Sequence, residues 1–401
     1  MGNRNNLSRW IAIFFLAFLF GCSSPGSWLQ GDDKENKSEA IRTSLVAQPG
    51  QETGLRRYWK RSVAGSPDDH FLHPGRFVVT DTDIFVATFQ GAVARLERKD
   101  GSIHWSKGVS ESIRGGVAVD DKRVFVGTED GELVALSREN GDELWRQRVS
   151  TSVASAPTVA EGMVIFTTLD NRLYALNAET GDTLWVNNNA PEILVIMGAA
   201  PPTVDHDRLF VGYSSGNVHA ISLTNGKLLW SDDLTVVGGR TELDLLQDVV
   251  AAIVTDDRST TPMANRMIFA VNHQGRLVAL SRSTGTRIWS NDLSAIRRPL
   301  LWSDRLFVAD VEGNMRALGV EDGMELWRGK ISDGLLTAPV RFKDLIFVAD
   351  DQGRIFSIDP TSGLVLGMDK IGDPILADPV VVGQDMYVWT NKGNMMYFLM
   401  P

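Results

Sequence analysis

The chain repeats itself about every 40 residues, and this period limits what it can fold into more than any other feature. The plainest copy covers residues 116–145, GVAVDDKRVFVGTEDGELVALSRENGDELW. Apolar, partly β-branched runs at 117–119, 124–128 and 133–136, and the Leu144-Trp145 end, are separated by turn clusters at Asp120-Asp121-Lys122, Glu129-Asp130-Gly131 and Glu139-Asn140-Gly141. Short β-prone runs punctuated in this way predict four antiparallel strands, because a tight reversal needs the positive φ that glycine adopts without a steric penalty. A sheet of that size cannot bury its apolar faces alone, so copies must pack on either side of it.

Aligned on the central turn, the copies carry Phe89-Gln90-Gly91, Glu129-Asp130-Gly131, Leu169-Asp170-Asn171, Ser214-Ser215-Gly216, His273-Gln274-Gly275, Val311-Glu312-Gly313, Asp351-Gln352-Gly353 and Asn391-Lys392-Gly393. The successive spacings are 40, 40, 45, 59, 38, 40 and 40 residues. That is the period of a propeller blade and is too long for most helical or leucine-rich repeats. Ten residues after the turn, seven copies place a second glycine, and in six of them tryptophan follows: Trp105, Trp145, Trp185, Trp230, Trp289 and Trp327. The seventh copy has Gly367 at that position, and the eighth ends at Pro401 before a fourth strand can begin. The missing strand lies at the other end of the chain, in 56–63 (RRYWKRSV) with Trp59. Pairing it with the last three strands completes the eighth blade and closes the ring. The expected fold is all-β, an eight-bladed β-propeller of four-stranded antiparallel blades over residues 54–401, with the last blade closed by the N-terminal strand. The seven periodic tryptophans are expected to pack between blades, since a stacked ligand needs one platform and not seven.

Composition suits this architecture: 37 Gly and 11 Trp in 401 residues fit many turns with one large aromatic per unit. The formal charge is -10, and loss of residues 1–21, with two arginines and no acid, leaves -12. Such a balance argues against nucleic acid or an anionic bilayer surface as the main partner. With Cys22 as the single cysteine, no internal disulfide can form.

At the amino terminus, two arginines precede the continuous apolar run WIAIFFLAFLF at 10–20. Eleven residues are too few to span roughly 30 Å of hydrocarbon as a helix, but they match the core of an export signal. Leu19-Phe20-Gly21-Cys22 resembles a bacterial lipobox, which implies a signal peptide at 1–21 and acylation of Cys22. Ser23, in place of Asp, implies sorting to the outer membrane. Residues 22–53, acylated at the first of them, are polar and rich in charge, and are expected to serve as a flexible tether.

No catalytic pattern stands out. Among the six histidines only His70-x-x-His73 has a ligand-like spacing, and no third ligand accompanies it; no G-x-S-x-G elbow, phosphate loop or H-E-x-x-H motif occurs. The Asp-Gly pairs belong to hairpin turns.

The first-strand motif at Ala156-Pro157-Thr158-Val159, Ala338-Pro339-Val340 and Asp378-Pro379-Val380, with a Thr-Gly-x-x-Leu-Trp type ending, resembles the pyrroloquinoline-quinone-type repeat. Within that superfamily the chain resembles the BamB family, propeller lipoproteins of the outer-membrane β-barrel assembly (BAM) machinery. The likeness covers lipobox, tether and all eight blades. Its most specific part is the long insertion after Trp230, where 239–249 (GRTELDLLQDV) is similar to a Thr-Glu-Ile-Asp-Arg-Leu-x-Asp-Val-Asp loop of the family; a second lies at 193–198 (ILVIMG).

The resemblance implies a non-enzymatic, cofactor-free scaffold held by its lipid on the periplasmic face of the outer membrane. The implied partners are the POTRA domains of the insertase BamA, other BAM subunits and unfolded outer-membrane proteins. The implied contacts are Leu194, Ile196 and Met197 in one loop and Asp248 and Val250 in the other. Met197 stands where the family often has arginine, and Val250 where it often has aspartate. Apolar contacts are therefore expected to persist and charged ones to be weaker. On its residues alone, the run 191–200 (PEILVIMGAA) fits either a partner surface or an extended first strand. Quinoprotein dehydrogenases share the blade repeat but often carry a vicinal disulfide, which this chain cannot form. A sugar- or peptide-binding propeller using its central channel is the other alternative.

Overall fold

Each copy of the repeat forms a four-stranded antiparallel sheet, and eight such sheets stand in a ring. The structure is a computed structural model, which describes residues 51–63, 77–189, 199–235, 249, 251–273 and 275–400. Blade 2 shows the pattern, with strands Ile113–Val119, Arg123–Thr128, Glu132–Ser137 and Glu143–Arg148 paired in chain order. Its two middle strands meet at Val124–Leu136, Phe125–Ala135 and Val126–Val134, and all six of these side chains are buried. They are covered on both faces by neighbouring blades, which is why they read as continuous apolar runs. The outer strand Glu143–Arg148 meets solvent and alternates instead.

The core is correspondingly a set of layers between blades. One layer joins Phe307, Met315 and Trp327 of blade 6 to Ile346, Val348 and Phe356 of blade 7, and another joins blade 8 to blade 1 through Tyr387, Tyr397, Ile84 and Val86. Each large side chain buried here contributes about 1.5–3 kcal/mol.

Ring closure follows from the two ends of the chain. Strand Arg56–Ser62 pairs antiparallel with Asn394–Leu399, with Trp59 opposite Tyr397 and Ser62 opposite Asn394. Arg98 of blade 1 latches the junction by donating to the Tyr387 hydroxyl at 2.9 Å and to Asp385 at 2.6 Å, both in blade 8.

The tryptophans tie each blade to the next. The indole N–H groups of Trp105, Trp145, Trp185, Trp230, Trp289 and Trp327 donate to backbone carbonyls of the following blade at 2.8–3.2 Å. The second-turn glycine of that following blade lies flat against the ring. A Cβ on Gly226, for example, would come within 2.6 Å of Trp185, and its φ of 70° already favours glycine. Trp59 lies against Gly101 in the same way, but its indole nitrogen is buried with no partner among the described residues.

Gly367, in place of the seventh tryptophan, makes room for the chain itself. Residues 51–53 run along the outer strand Val365–Lys370 of blade 7: Met368 N donates to Gln51 O at 2.9 Å, and the buried Thr53 bonds the Asp369 carboxylate. A Cβ on Gly367 would overlap the Glu52 carbonyl.

Candidate functional site

Because successive strands alternate in direction, the turns between second and third strands emerge on the same face as the connections from one blade to the next. Hydrogen bonds hold the two together: Val109 N donates to Gly91 O, Val149 N to Gly131 O, Leu293 N to Gly275 O and Ile331 N to Gly313 O, at 2.8–3.0 Å. Each connection therefore leaves its blade by resting on that blade's own turn. The longest connection, 234–253, leaves blade 4, and a long one, 189–202, enters it.

All five partner residues expected from the sequence, Leu194, Ile196, Met197, Asp248 and Val250, lie outside the described residues, as do Cys22, His70 and His73. The described ends of both segments are well defined. The first runs from the outer strand of blade 3, Thr183–Asn188, to Ala200, which is buried at the entrance to blade 4. Pro202 O there accepts from the Thr158 hydroxyl at 2.7 Å, and the Thr203 hydroxyl donates to Ile253 O at 2.9 Å, which links the inner strands of blades 3, 4 and 5. The second segment starts and finishes on one turn of blade 4. Leu234 N donates to Gly216 O at 3.0 Å, Val249 N donates to Tyr213 O at 3.2 Å, and the buried Val249 side chain fills the space beside Gly212.

That turn departs from a pattern that six other blades keep. The residue three positions before the turn glycine is Thr88, Thr128, Asn272, Asp310, Asp350 or Thr390 in six blades. In each its side-chain oxygen accepts the backbone N–H four residues on, at 2.8–3.2 Å. Blade 4 has Tyr213 instead. Its hydroxyl is buried without a partner among the described residues, and its ring stands edge-on to His219, 4.9 Å away, whose Nδ1 is also unpartnered. Burial pushes the His219 imidazole down to about 4 and the Tyr213 phenol up from its ordinary value. His219 is thus neutral at pH 7, and the pair forms a packing contact, not a proton relay. A column of Thr, Asn and Asp broken once by Tyr was visible in the sequence, but only after the turns had been aligned.

Blades 4 and 5 are also joined by charge. Arg282, nearly buried, pairs with the Asp205 carboxylate and donates to Asp205 O at 2.8 Å, while its own carbonyl accepts the Trp230 indole. The blade on which both segments meet is firmly seated in the ring. Among the described residues, no group of three or more His, Cys, Asp or Glu side chains is placed to hold a metal, and no helix is long and apolar enough to cross a membrane.

Comparison with known proteins follows the same lines. The family model for outer membrane protein assembly factor BamB matches residues 89–329 and 311–399. The BamB of Pseudomonas aeruginosa is 36% identical over 309 residues, which is 77% of this chain and 76% of that protein. The BamB of Escherichia coli is 29% identical over 157 residues, a match spanning 39% of this chain and 38% of the relative. Among solved structures, BamB from Moraxella catarrhalis superposes with a TM-score of 0.76 at 21% identity, covering 86% of this chain and 99% of that one. Quinohemoprotein alcohol dehydrogenases and a europium-containing methanol dehydrogenase share the fold, at 13–14% identity. With the family model spanning most of the propeller and a 36% identical relative covering three-quarters of both chains, this chain belongs to the family of outer membrane protein assembly factor BamB.

Proposed function

We propose that the chain is a non-catalytic scaffold in the assembly of outer-membrane β-barrel proteins. Acylated at Cys22, with residues 1–21 removed and 22–53 as a tether whose last three residues are seated on blade 7, it is held on the periplasmic face of the outer membrane. It binds the POTRA domains of BamA, with Leu194, Ile196 and Met197 from one loop and Asp248 and Val250 from the other as the contacts, and serves the folding and insertion of outer-membrane proteins beside the other BAM subunits. The observation that carries this is the family match across the propeller, whose members are named as assembly factors.

The physics supports a docking role. The described ends of both candidate segments lie on one blade that is locked to its neighbours, so the ring that carries them needs no ordering of its own on binding. A lipid tether raises the local concentration of the ring at the membrane without adding a contact. Exposed outer strands, as at Glu143–Arg148, offer an edge along which an unfolded strand can pair.

Co-purification from membranes tests it. The acylated chain retrieves the insertase, and a variant with Leu194→Ala, Ile196→Ala and Asp248→Ala retrieves at least about tenfold less, as expected when three interface contacts are lost. Equal retrieval by both moves the contact off these loops. Quinone-dependent dye reduction by the purified chain would replace the scaffold with a dehydrogenase.

A further inference from the structure

The residue just before the first-strand proline faces the propeller axis in several blades. It is alanine in blades 3 and 7, at Ala156 and Ala338, but arginine in blade 6, at Arg298, and aspartate in blade 8, at Asp378. A cavity of about 410 Å³ is lined by residues of blades 3, 4, 5, 6 and 8, which can meet only on the axis; Arg297, Arg298 and Asp378 are among them. A second, of about 470 Å³, adjoins it and shares Arg298 and Asp378. Both fall in the size range of small-molecule sites.

The charges there are unevenly satisfied. Asp378 accepts the Ala338 N–H at 2.8 Å, and an Arg297 terminal nitrogen lies 3.8 Å from the same oxygen. The Arg297 Nε is buried with no hydrogen-bond partner among the described residues. Arg298 makes no hydrogen bond or ion pair to any described residue; Asp378 and Asp257 act on it only over a longer distance. Its side chain is exposed within the axial cavities and walled by the surrounding blades. That crowding pushes its pKa below the usual guanidinium value while the two aspartates oppose the shift, and it remains charged at neutral pH. A cation in that position is stabilised by an anion that completes its hydrogen bonds.

We propose that this axial cavity binds a carboxylate group, anchored by the planar fork of Arg298 with Arg297 as the second donor. Two arginines facing two aspartates leave the site close to neutral, which suits a monoanion and penalises a phosphate dianion. The Arg298 fork matches a carboxylate in two parallel hydrogen bonds. The carboxylate belongs either to a small free acid or to the carboxyl terminus of a polypeptide entering the channel. None of the proposed docking contacts is among the residues that line this cavity, and either proposal can fail without the other.

Calorimetric titration of the mature chain at low ionic strength decides the matter, with propionate, an N-acetylated tripeptide bearing a free carboxylate, the same tripeptide as its C-terminal amide, and inorganic phosphate as probes. The chain binds both carboxylates saturably and the amide not at all. Propionate matching the acid tripeptide assigns the site to a small acid, and tripeptide binding at least about tenfold tighter assigns it to a chain end. Arg298→Gln weakens binding about tenfold or more, the loss expected for charge-assisted hydrogen bonds. Asp378→Asn keeps an acceptor for the Ala338 N–H but removes a negative charge, so it tightens binding about two- to fivefold, a gain that misfolding cannot imitate. No saturable binding of either carboxylate, unchanged affinity in Arg298→Gln, weaker binding in Asp378→Asn, or phosphate bound more tightly than propionate overturns the proposal.

Discussion

Blades 4 and 7 come from the same repeat, yet only blade 7 caps the turn between its second and third strands with a side chain. In blade 7 the buried Asp350 carboxylate accepts from the backbone N–H groups of Gln352 and Arg354 at 3.1 and 2.9 Å, from the Ser332 hydroxyl at 2.8 Å and from Arg354 Nε at 2.7 Å. A charge that well bonded can be buried. In blade 4 the same position holds Tyr213, which gives its turn no side-chain cap and packs on His219 instead. The carbonyls of that turn are taken by Val249 and Leu234, the two described ends of the 236–248 segment. The connection of blade 7 rests on its turn through the same two backbone bonds, from Ile375 N to Asp350 O at 3.1 Å and from Ile371 N to Gly353 O at 2.7 Å. What differs is the side chain: blade 7 caps its turn with a carboxylate, and blade 4, whose turn carries the longest connection, does without that cap.

The largest test of that contrast is removal of the blade 7 cap. Asp350→Ala leaves Arg354 and two backbone N–H groups without their acceptor, and urea unfolding should show a loss of about 3–5 kcal/mol, the range for breaking one side of a buried ion pair. A loss under about 1 kcal/mol would mean that the cap is dispensable and that blade 4 is not exceptional.

Next in size is an acid effect confined to blade 4. With the folded pKa of His219 held down to about 4 against an ordinary value of 6.5, the unfolded chain binds a proton that the folded chain refuses. Stability therefore falls as pH drops from about 6.5 to about 4, levels off below that, and owes nothing to His219 above it. His219→Val, which copies Val134 and Val278 of blades 2 and 5, should flatten this slope and make the chain about 1–3 kcal/mol more stable than wild type near the acid end of the window. The two pH profiles should coincide at pH 8 in shape, if not in height. An unchanged slope between them would show that His219 is not the group responsible.

Smallest is Tyr213→Phe. Deleting a buried hydroxyl that bonds nothing among the described residues should be neutral or stabilising by up to about 1 kcal/mol. A clear loss would show that the 236–248 segment supplies its partner, and would tie turn and segment more closely still.

Much of the ring was legible before any coordinates. Eight aligned turns, seven marked by glycine and one by Asn171, their spacing of about 40 residues and the stray strand around Trp59 predicted the blade count and the closure, because antiparallel hairpins are encoded by residues close together in the chain. The gap at Gly367 was legible only as a gap. That residues 51–53 fill it depends on ring closure, which brings the N-terminal segment alongside blade 7. The tryptophan period was likewise plain, but not that each indole rests on a glycine of the following blade. The candidate site was harder. The five proposed loop contacts rest on resemblance alone, while the missing cap at Tyr213 and the seating of both described ends of the second segment on one turn needed the hydrogen bonds.

By itself the sequence determined the unit, its number and the way the ends close, since strand, turn and apolar period are local properties read residue by residue. The tertiary structure alone decided which residues from different blades meet: Arg98 with Asp385, Arg282 with Asp205, and Arg298 with Asp378 in the lining of one axial cavity. Charge pairing and burial are set by distance in space, and in a closed ring the axis and the final junction bring together residues that the chain itself keeps far apart.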